Sequence, residues 1–212
     1  FKTEDHANTW TKISEDLSKQ EDRNRKEVMG KVWGVDAIFK NVFTSPLGTV
    51  VALDESPLQE DFLLAGTDDG LLQITEDGGQ NWKKIDQFPG LPSTAYVTDV
   101  LTSRHDVNVI YISFNNHKYG DFKPYLFKSS DKGNSWSSIT NGFPDKDFVW
   151  TVVQDHVNEN LLFAGTEFGL YYTLDGGQNW NKFNRIPTIS IRDLEIQKRE
   201  NDLVAASFGR GF

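Results

Sequence analysis

The sequence predicts an all-β protein built from a repeated unit of four short strands. Three observations support this prediction: an octapeptide pattern recurs, β-rich runs alternate with Gly-containing turns between its copies, and helical periodicity is weak and confined to residues 18–38. Repeats at intervals of tens of residues are typical of solenoids, propellers and arrays. The pattern is Ser/Thr-x-Asp-x-Gly-x-x-Trp, and its copies are Thr75–Trp82, Ser129–Trp136, Thr173–Trp180 and a weaker one, Thr3–Trp10, with Ala7 in place of glycine.

Alignment on the tryptophans exposes a longer repeat. Residues 62–75 match residues 161–173 almost position for position, and residues 109–129 form a longer version of the same hairpin. A further strand precedes each hairpin, at residues 49–53, 96–101 and 149–153, and a short strand follows each octapeptide. The unit is therefore four antiparallel strands, named A to D in chain order, over roughly 45 to 55 residues. Such a unit is one blade of a β-propeller.

The blades divide residues 1–212 into six segments of one propeller domain. We predict the end of a blade (1–13), an insertion between blades (14–48), three complete blades (49–86, 87–140 and 141–184) and the start of a further blade (185–212). The chain starts at Phe1 and its single methionine is Met29, so we expect a fragment. We expect three full blades and two partial ones from a ring of seven or more. A four-bladed closure that joins the two partial blades is the alternative.

The octapeptide suits a tight turn between strands C and D. Its Asp carboxylate can accept hydrogen bonds from its own turn, its Gly permits a positive φ, and its Trp can pack between blades. We therefore predict structural roles, without a metal, for these positions: Asp5, Trp10, Asp77, Gly79, Trp82, Asp131, Gly133, Trp136, Asp175, Gly177 and Trp180.

Composition argues against several classes of protein. Hydrophobic residues make up 37% and aromatic residues 13%, which is enough for a sizeable core. The net charge of −9 argues against a nucleic-acid partner, because phosphate binding needs clustered Lys and Arg. The chain has no cysteine, which excludes disulfides and thiolate chemistry. No apolar stretch approaches the roughly 18 residues that span a bilayer. We expect no cofactor.

The octapeptides resemble the Asp-box or BNR repeats of sialidases, sortilin-type propellers, xyloglucan-cleaving glycosidases and photosystem assembly factor-like proteins. Other segments resemble one group of large exported bacterial proteins, labelled as BNR-repeat glycosyl hydrolases or as sortilin-like: Met29–Trp33, Asn115–Pro124, Asn160–Gly169 and Arg199–Phe212. This resemblance covers essentially the whole chain. It implies a β-propeller, and a secreted, periplasmic or cell-surface location.

Strand connectivity places a functional site on the face opposite the octapeptides. The C–D and A–B turns share one face of a propeller, and the B–C and D–A connections share the other. Loops on a rigid scaffold usually carry function. The B–C connections supply the predicted ligand-contacting residues: His117, Tyr119, Asp121, Phe122, Glu167, Phe168 and Arg210.

Two function hypotheses remain open. The leading one is a binding or scaffold module that recognises a peptide, protein or glycan on this face. Its exposed blade edges would contact the remaining blades of the parent protein or another chain. The alternative is a segment of a xyloglucanase-like or sialidase-like glycoside hydrolase, which needs two carboxylates about 5 to 10 Å apart. Asp68, Asp121 and Glu167 are the candidates for that catalytic role.

Overall fold

The computed structural model describes residues 1–34, 36–37, 47–209 and 211, and these residues are almost entirely in strands, turns and loops. The helical segments within them are two 3-10 turns, Arg23–Arg25 and His117–Tyr119. Residues 18–38 have weak helical periodicity, but the described part of that range forms no α-helix. That part is rich in charge and has no apolar stripe to bury.

The strands are numbered in chain order. They are β1 (Glu27–Val28), β2 (Lys31–Val32), β3 (Val50–Glu55), β4 (Leu63–Thr67), β5 (Leu72–Thr75), β6 (Lys83–Ile85), β7 (Tyr96–Thr102), β8 (Ile110–Asn116), β9 (Asp121–Ser129), β10 (Ser137–Ser138), β11 (Val149–Gln154), β12 (Leu162–Thr166), β13 (Gly169–Thr173), β14 (Asn181–Lys182), β15 (Ile191–Gln197) and β16 (Asp202–Ser207).

Sequential strands pair to form antiparallel sheets. β3–β6, β7–β10 and β11–β14 each form a four-stranded meander, and we call these the first, second and third blade. β15 pairs with β16 to form what we call the half blade, and β1 pairs with β2. The first strand of each blade is strand A, and strands B, C and D follow. This arrangement confirms the predicted all-β fold with four-stranded antiparallel blades.

The hydrophobic core lies between consecutive blades. Every residue of β8, a strand B, is buried, and such burial on both faces is typical of a strand covered from both sides. Three clusters of buried side chains fill the junctions from the first blade to the half blade. Phe62, Tyr111 and Phe127 are among the largest fully buried side chains. Each such side chain stabilises the fold by about 1.5 to 3 kcal/mol, so the blades depend on one another.

Strand A carries a β-bulge at the same place in all three blades and in the half blade. The pairing of strand A with strand B skips Val51 in the first blade, Thr98 in the second, Trp150 in the third and Arg192 in the half blade. A bulge leaves one residue out of the ladder and re-aims its side chain. These four bulge residues therefore occupy equivalent positions near the start of strand A, although their chemistry differs.

Carboxylates link neighbouring A strands. Asp54 Oδ2 accepts hydrogen bonds from the backbone and hydroxyl of Thr102, at 2.6 and 2.7 Å. Asp99 Oδ2 accepts hydrogen bonds from the Thr151 hydroxyl and the Val152 N–H, both at 2.9 Å. Burial raises the pKa of Asp99 to about 7, and the charge of Asp54 adds to the increase. A titratable group therefore lies at the junction of the second and third blades.

The octapeptides form one kind of turn. In all four copies the Asp Oδ1 accepts the N–H of the residue four positions on, at 2.8 to 2.9 Å. The Ser or Thr hydroxyl that begins each octapeptide also donates to this carboxylate. Side-chain hydrogen bonds of the same turn lower the pKa of Asp77, Asp131 and Asp175 to about 2. These contacts occupy the aspartates within their own turns.

The glycine of the octapeptide meets two requirements. Gly133 has φ +75, in the region that favours glycine, and Ala7 in the weaker copy has φ 68. A Cβ placed on Gly133 would also lie 2.8 Å from Ile74 Cδ1 and 2.9 Å from Ile85 Cδ1 of the preceding blade. The backbone conformation therefore favours glycine at this position, and at Gly133 the close packing on the neighbouring blade also requires it.

Candidate ligand-binding face

An aromatic cluster joins the second and third blades on the face opposite the octapeptide turns. The ring of His117 stacks on Phe148, with centroids 5.2 Å apart and an interplanar angle of 10°, and meets Trp150 edge-on at 6.0 Å. Phe122 lies 6.4 Å from Phe148 and Tyr96 lies 6.1 Å from His117. We call Tyr96, His117, Phe122, Phe148 and Trp150 the aromatic cluster. It brings together the B–C connection and the start of strand C of the second blade with the beginning of strand A in both blades.

A charged pair bounds the aromatic cluster on the side of the half blade. The Arg192 Cζ lies 3.7 Å from the centroid of the Trp150 ring, and its Nη2 lies 3.5 Å from Glu167 Oε2. The same Glu167 oxygen accepts hydrogen bonds from the Trp150 indole at 2.9 Å and the Ser190 hydroxyl at 3.1 Å. Phe208, which is 72% exposed, lies 5.1 Å from the guanidinium. Glu167 therefore fixes the indole and the guanidinium in one arrangement.

His117 is held by polar groups behind the aromatic rings. Asn115 Oδ1 accepts the His117 backbone N–H at 2.8 Å and lies 2.7 Å from Nδ1. The Tyr96 hydroxyl lies 3.0 Å from the same nitrogen. Burial lowers the pKa of His117 below its usual value, and the charge of Lys118 lowers it further. His117 therefore presents a neutral imidazole at neutral pH, which suits stacking and hydrogen bonding rather than charge pairing.

Asp121 lies beside the aromatic cluster but faces its own hairpin. Its Oδ2 accepts the Tyr125 hydroxyl at 2.6 Å and the Asn116 amide at 3.3 Å, and its Oδ1 accepts the Lys123 N–H at 3.2 Å. Burial alone would raise the pKa of Asp121, but these hydrogen bonds lower it below the usual value. The sequence placed Asp121 within a loop. The structure makes it the first residue of β9, paired with Asn116, because both strands extend beyond their predicted ends.

Asp68 has a different setting. Its Oδ1 accepts the N–H groups of Gly48 and Thr49, at 2.9 and 2.8 Å, at the start of the first blade. The neighbouring Asp69 accepts the N–H of Lys19 at 2.7 Å, so the predicted insertion contacts this end of the blade. These bonds anchor backbone segments, as expected of aspartates in turns.

The remaining predicted ligand contacts are exposed or lie outside the described residues. Tyr119 and Phe168 are exposed on the B–C connections of the second and third blades. The Phe168 N–H donates to Asp147 at 3.0 Å, which fixes the position of its backbone. Arg210 lies outside the described residues. The structure thus brings His117, Phe122 and Glu167 into one neighbourhood and leaves Asp68 in another.

Sequence reasoning missed Tyr96, Phe148, Trp150, Arg192 and Phe208. It assigned the segments around Tyr96 and Trp150 to strand A without a role for either side chain. One signal was present, because Trp150 is one of two tryptophans outside the octapeptides. The bulges that re-aim Trp150 and Arg192 have no such signal, because the sequence of a strand with one extra residue does not differ visibly from that of a regular strand.

The described residues offer neither a metal site nor a membrane-spanning helix. Among the described residues, no group of three or more His, Asp or Glu side chains could hold a metal ion. In the same part of the chain, no helix has the length and apolar character needed to cross a membrane.

Comparison with known proteins supports the fold. No family model matches the chain. A curated protein of Neosartorya fischeri, named "Probable oligoxyloglucan-reducing end-specific xyloglucanase", is 41% identical over an alignment of 61 residues that covers 26% of this chain and 7% of that protein. The chain thus spans a small part of this relative, and the match covers about a quarter of the chain.

Three solved structures share the fold over about three quarters of the chain. The GH74 xyloglucanase from Xanthomonas campestris has a TM-score of 0.60 at 14% identity, covering 76% of this chain and 27% of that one. YCF48 bound to D1 peptide has a TM-score of 0.56 at 21% identity, covering 75% of this chain and 48% of that one. The extracellular domain of BT4673 from B. thetaiotaomicron has a TM-score of 0.58 at 18% identity, covering 78% of this chain and 20% of that one. These likenesses place the chain among β-propeller proteins, and it spans less than half of each neighbour.

Proposed function

We propose that the chain is a ligand-recognising part of an exported, sortilin-like β-propeller with Asp-box repeats. Its ligand is a peptide, a protein or a glycan, and the binding face is the one opposite the octapeptide turns. The blades described above belong to a ring of seven or more. The location is secreted, periplasmic or cell-surface, in keeping with neighbours that include an extracellular domain.

One observation carries this proposal: the aromatic cluster lies across two blades and is bounded by Arg192 and Glu167. Large rings give much contact area for little loss of conformational entropy, and planar charged groups give direction to hydrogen bonds. Phe122 is 45% exposed and Phe208 is 72% exposed, while Phe148 behind them is buried. The face therefore combines accessible rings with a rigid base, which is what a recognition surface needs.

The neighbours favour the same two ligand classes. The YCF48 structure is described as bound to D1 peptide, and the GH74 neighbour is described as a xyloglucanase. A peptide and a glycan therefore each have support from one neighbour. Both descriptions concern whole proteins of which this chain spans a fraction.

The second candidate function is a glycoside hydrolase segment that uses Asp121 and Glu167. A general acid in such an enzyme needs a raised pKa, whereas hydrogen bonds lower the pKa of Asp121. Glu167 is committed to the Trp150 indole, the Ser190 hydroxyl and Arg192. Asp68 accepts the backbone N–H groups of Gly48 and Thr49. These commitments favour recognition over hydrolysis.

A paired binding and turnover assay tests the proposal. The intact protein is presented with an array of oligosaccharides, including those of xyloglucan, and with an array of synthetic peptides. We expect binding without hydrolysis, and we expect Asp121→Asn with Glu167→Gln to change affinity alone. Hydrolysis of any oligosaccharide that this double variant abolishes would favour the glycosidase instead. Absence of binding to both arrays would count against recognition on this face.

A further inference from the structure

The two ring nitrogens of His117 have different surroundings. Nδ1 lies 2.7 Å from Asn115 Oδ1 and 3.0 Å from the oxygen of the Tyr96 hydroxyl. Among the described residues, Nε2 has no hydrogen-bond partner. The three residues belong to the second blade, which packs between two other complete blades. Which nitrogen carries the proton therefore decides what this part of the binding face offers to a ligand.

The side-chain amide of Asn115 has a defined orientation. Its Oδ1 accepts the backbone N–H of His117 at 2.8 Å. The reverse orientation would bring the Nδ2 donor against this N–H, and the hydrogen bond would be lost. Asn115 is fully buried, and its Nδ2 has no partner in the part of the chain that the structure describes. A buried donor without a partner is unusual, so the amide is oriented for the contacts of its oxygen.

This orientation determines which nitrogen of His117 is protonated. Asn115 Oδ1 can only accept, so its distance of 2.7 Å requires a proton on Nδ1. A neutral imidazole carries one such proton, so Nε2 keeps a free lone pair. Burial and the charge of Lys118 lower the pKa of His117, which keeps the ring neutral at neutral pH. His117 therefore presents Nε2 on the binding face as a hydrogen-bond acceptor.

The Tyr96 hydroxyl adds a donor beside the same ring. Because Nδ1 carries a proton, the Tyr96 oxygen can accept from Nδ1 but cannot donate to it. Burial raises the pKa of Tyr96 to about 12, so the hydroxyl keeps its own proton. That proton has no other acceptor among the described residues. One acceptor and one donor, both uncharged, are thus left for a ligand.

We propose that His117 Nε2 and the Tyr96 hydroxyl recognise an uncharged hydroxyl group of the ligand, and that Asn115 is the positioning residue that fixes the tautomer of His117. A hydroxyl both donates and accepts, whereas a carboxylate has no donor for Nε2 and an ammonium group has no acceptor for the Tyr96 O–H. This assignment rests on the proposed function and narrows the chemistry of its ligand. A glycan can supply such a hydroxyl, and so can a Ser, Thr or Tyr side chain of a peptide.

The tautomer is measured first, by NMR of the ligand-free protein with 15N-labelled histidine. At about pH 8 the imidazoles are neutral, and protonated and unprotonated nitrogens resonate separately. We expect a proton on Nδ1 of His117 and none on its Nε2. His105 is the internal control, because its Nε2 lies 2.8 Å from the Asp155 carbonyl oxygen and must donate to it. A proton on Nε2 of both histidines would overturn the inference.

Asn115→Asp tests the positioning role. The substitution keeps an acceptor oxygen at Nδ1, but its negative charge favours the protonated ring. We therefore expect the pKa of His117 to rise and that of His105 to stay the same in an NMR titration. An unchanged pKa of His117 would show that Asn115 does not control the ring.

Small uncharged probes then test the ligand chemistry. Methyl β-glucoside supplies sugar hydroxyls, N-acetylserinamide supplies a side-chain hydroxyl, and N-acetylalaninamide supplies amide groups alone. We expect one hydroxyl probe to bind about fivefold more tightly than N-acetylalaninamide, as judged from the Nε2 resonance of His117. The probe that binds identifies the source of the hydroxyl. Equal binding of N-acetylalaninamide, or no response to any probe, would overturn the inference.

Two substitutions of His117 test the contact with the oligosaccharide or peptide that binds in the arrays. Glutamine can place an oxygen near the position of Nε2, whereas asparagine reaches only as far as Nδ1. Both remove the ring that stacks on Phe148, so their difference isolates the acceptor. We expect His117→Asn to bind about tenfold more weakly than His117→Gln.

The outcomes separate this inference from the proposed function. Equal affinities of His117→Asn and His117→Gln, with binding that Phe122→Ala weakens, would overturn the inference and leave the proposed function standing. Absence of binding to both arrays would count against the proposed function, and the tautomer and the small probes would still decide the inference.

Discussion

At the scale of single residues, Trp150 illustrates how one backbone irregularity shapes the proposed binding face. Its segment reads as a buried strand, and Val149, Val152 and Val153 are indeed buried. The bulge takes Trp150 out of this pattern, so its indole reaches Glu167 and lies under Arg192. The sequence could therefore predict the strand but not the role of the residue within it.

His117 gives a test of the electrostatics of this face. Burial and the charge of Lys118 lower its pKa, so the folded state disfavours the protonated ring relative to the unfolded chain. This group therefore lowers stability as the pH falls below about 6.5. We expect Lys118→Gln to raise the pKa of His117, as measured from the titration of its ring protons by NMR. Lys84→Gln on the first blade is the control. An equal effect of both substitutions on the pKa of His117 would contradict the role given to the charge of Lys118.

Asp99 gives a test of stability against pH. Its folded pKa of about 7 lies above the unfolded value of about 3.9, so the proton is bound more tightly in the folded state. The resulting stabilisation is complete below about pH 4 and is lost as the pH rises through about 7. We expect the contribution of Asp99 to make the free energy of unfolding larger at pH 5 than at pH 8 by on the order of 2 kcal/mol, measured with urea.

The matched control for Asp99 is Asp193, which follows the bulge of the half blade as Asp99 follows that of the second blade. Each accepts the N–H of the next residue at 2.9 Å, but Asp193 is exposed. Asp99→Asn should flatten the pH dependence and Asp193→Asn should leave it unchanged. If the free energy of unfolding depended on pH equally in wild type and in Asp99→Asn, the carboxyl would not titrate as described.

At the scale of elements, the octapeptide turn is the part of the molecule that the sequence describes best. Its Asp and Gly positions specify a local structure, because the hydrogen bonds involved join residues two to four positions apart. The contact of its glycine with the preceding blade involves residues tens of positions away. That contact could not be read from one repeat, and it adds a packing requirement to the conformational one.

Gly133 and Gly120 separate these two requirements. Their φ values are +75 and +77, but a Cβ on Gly133 would meet two isoleucines and a Cβ on Gly120 would have nothing within 4 Å. Gly120→Ala should lower the free energy of unfolding by about 1 kcal/mol through backbone strain alone. Gly133→Ala should lower it by a further 1 to 3 kcal/mol, roughly, through overpacking. Equal losses in chemical denaturation would mean that packing on the preceding blade is unimportant.

At the scale of the whole molecule, repetition is what made the fold predictable. Three aligned repeats fix the strand order, and the strand order fixes which face carries the octapeptide turns. The opposite face is different, because its residues are those in which the repeats differ. Val51, Thr98, Trp150 and Arg192 share one position and no common chemistry. The candidate site therefore required the register of each blade, which pattern alone does not contain.

The ligand affinities of two variants, one on each face, test the central claim, that the chain recognises its ligand through the face opposite the octapeptide turns. Phe122→Ala with Phe208→Ala removes two exposed rings of that face, and Leu174→Ala removes an exposed apolar side chain from an octapeptide turn. The probe is the oligosaccharide or peptide that binds in the arrays, and Kd is measured by calorimetry. We expect the double variant to bind about 10- to 100-fold more weakly, since each ring contributes about 1 kcal/mol, and Leu174→Ala to bind like wild type. Unchanged affinity in the double variant with weakened binding in Leu174→Ala would contradict the account.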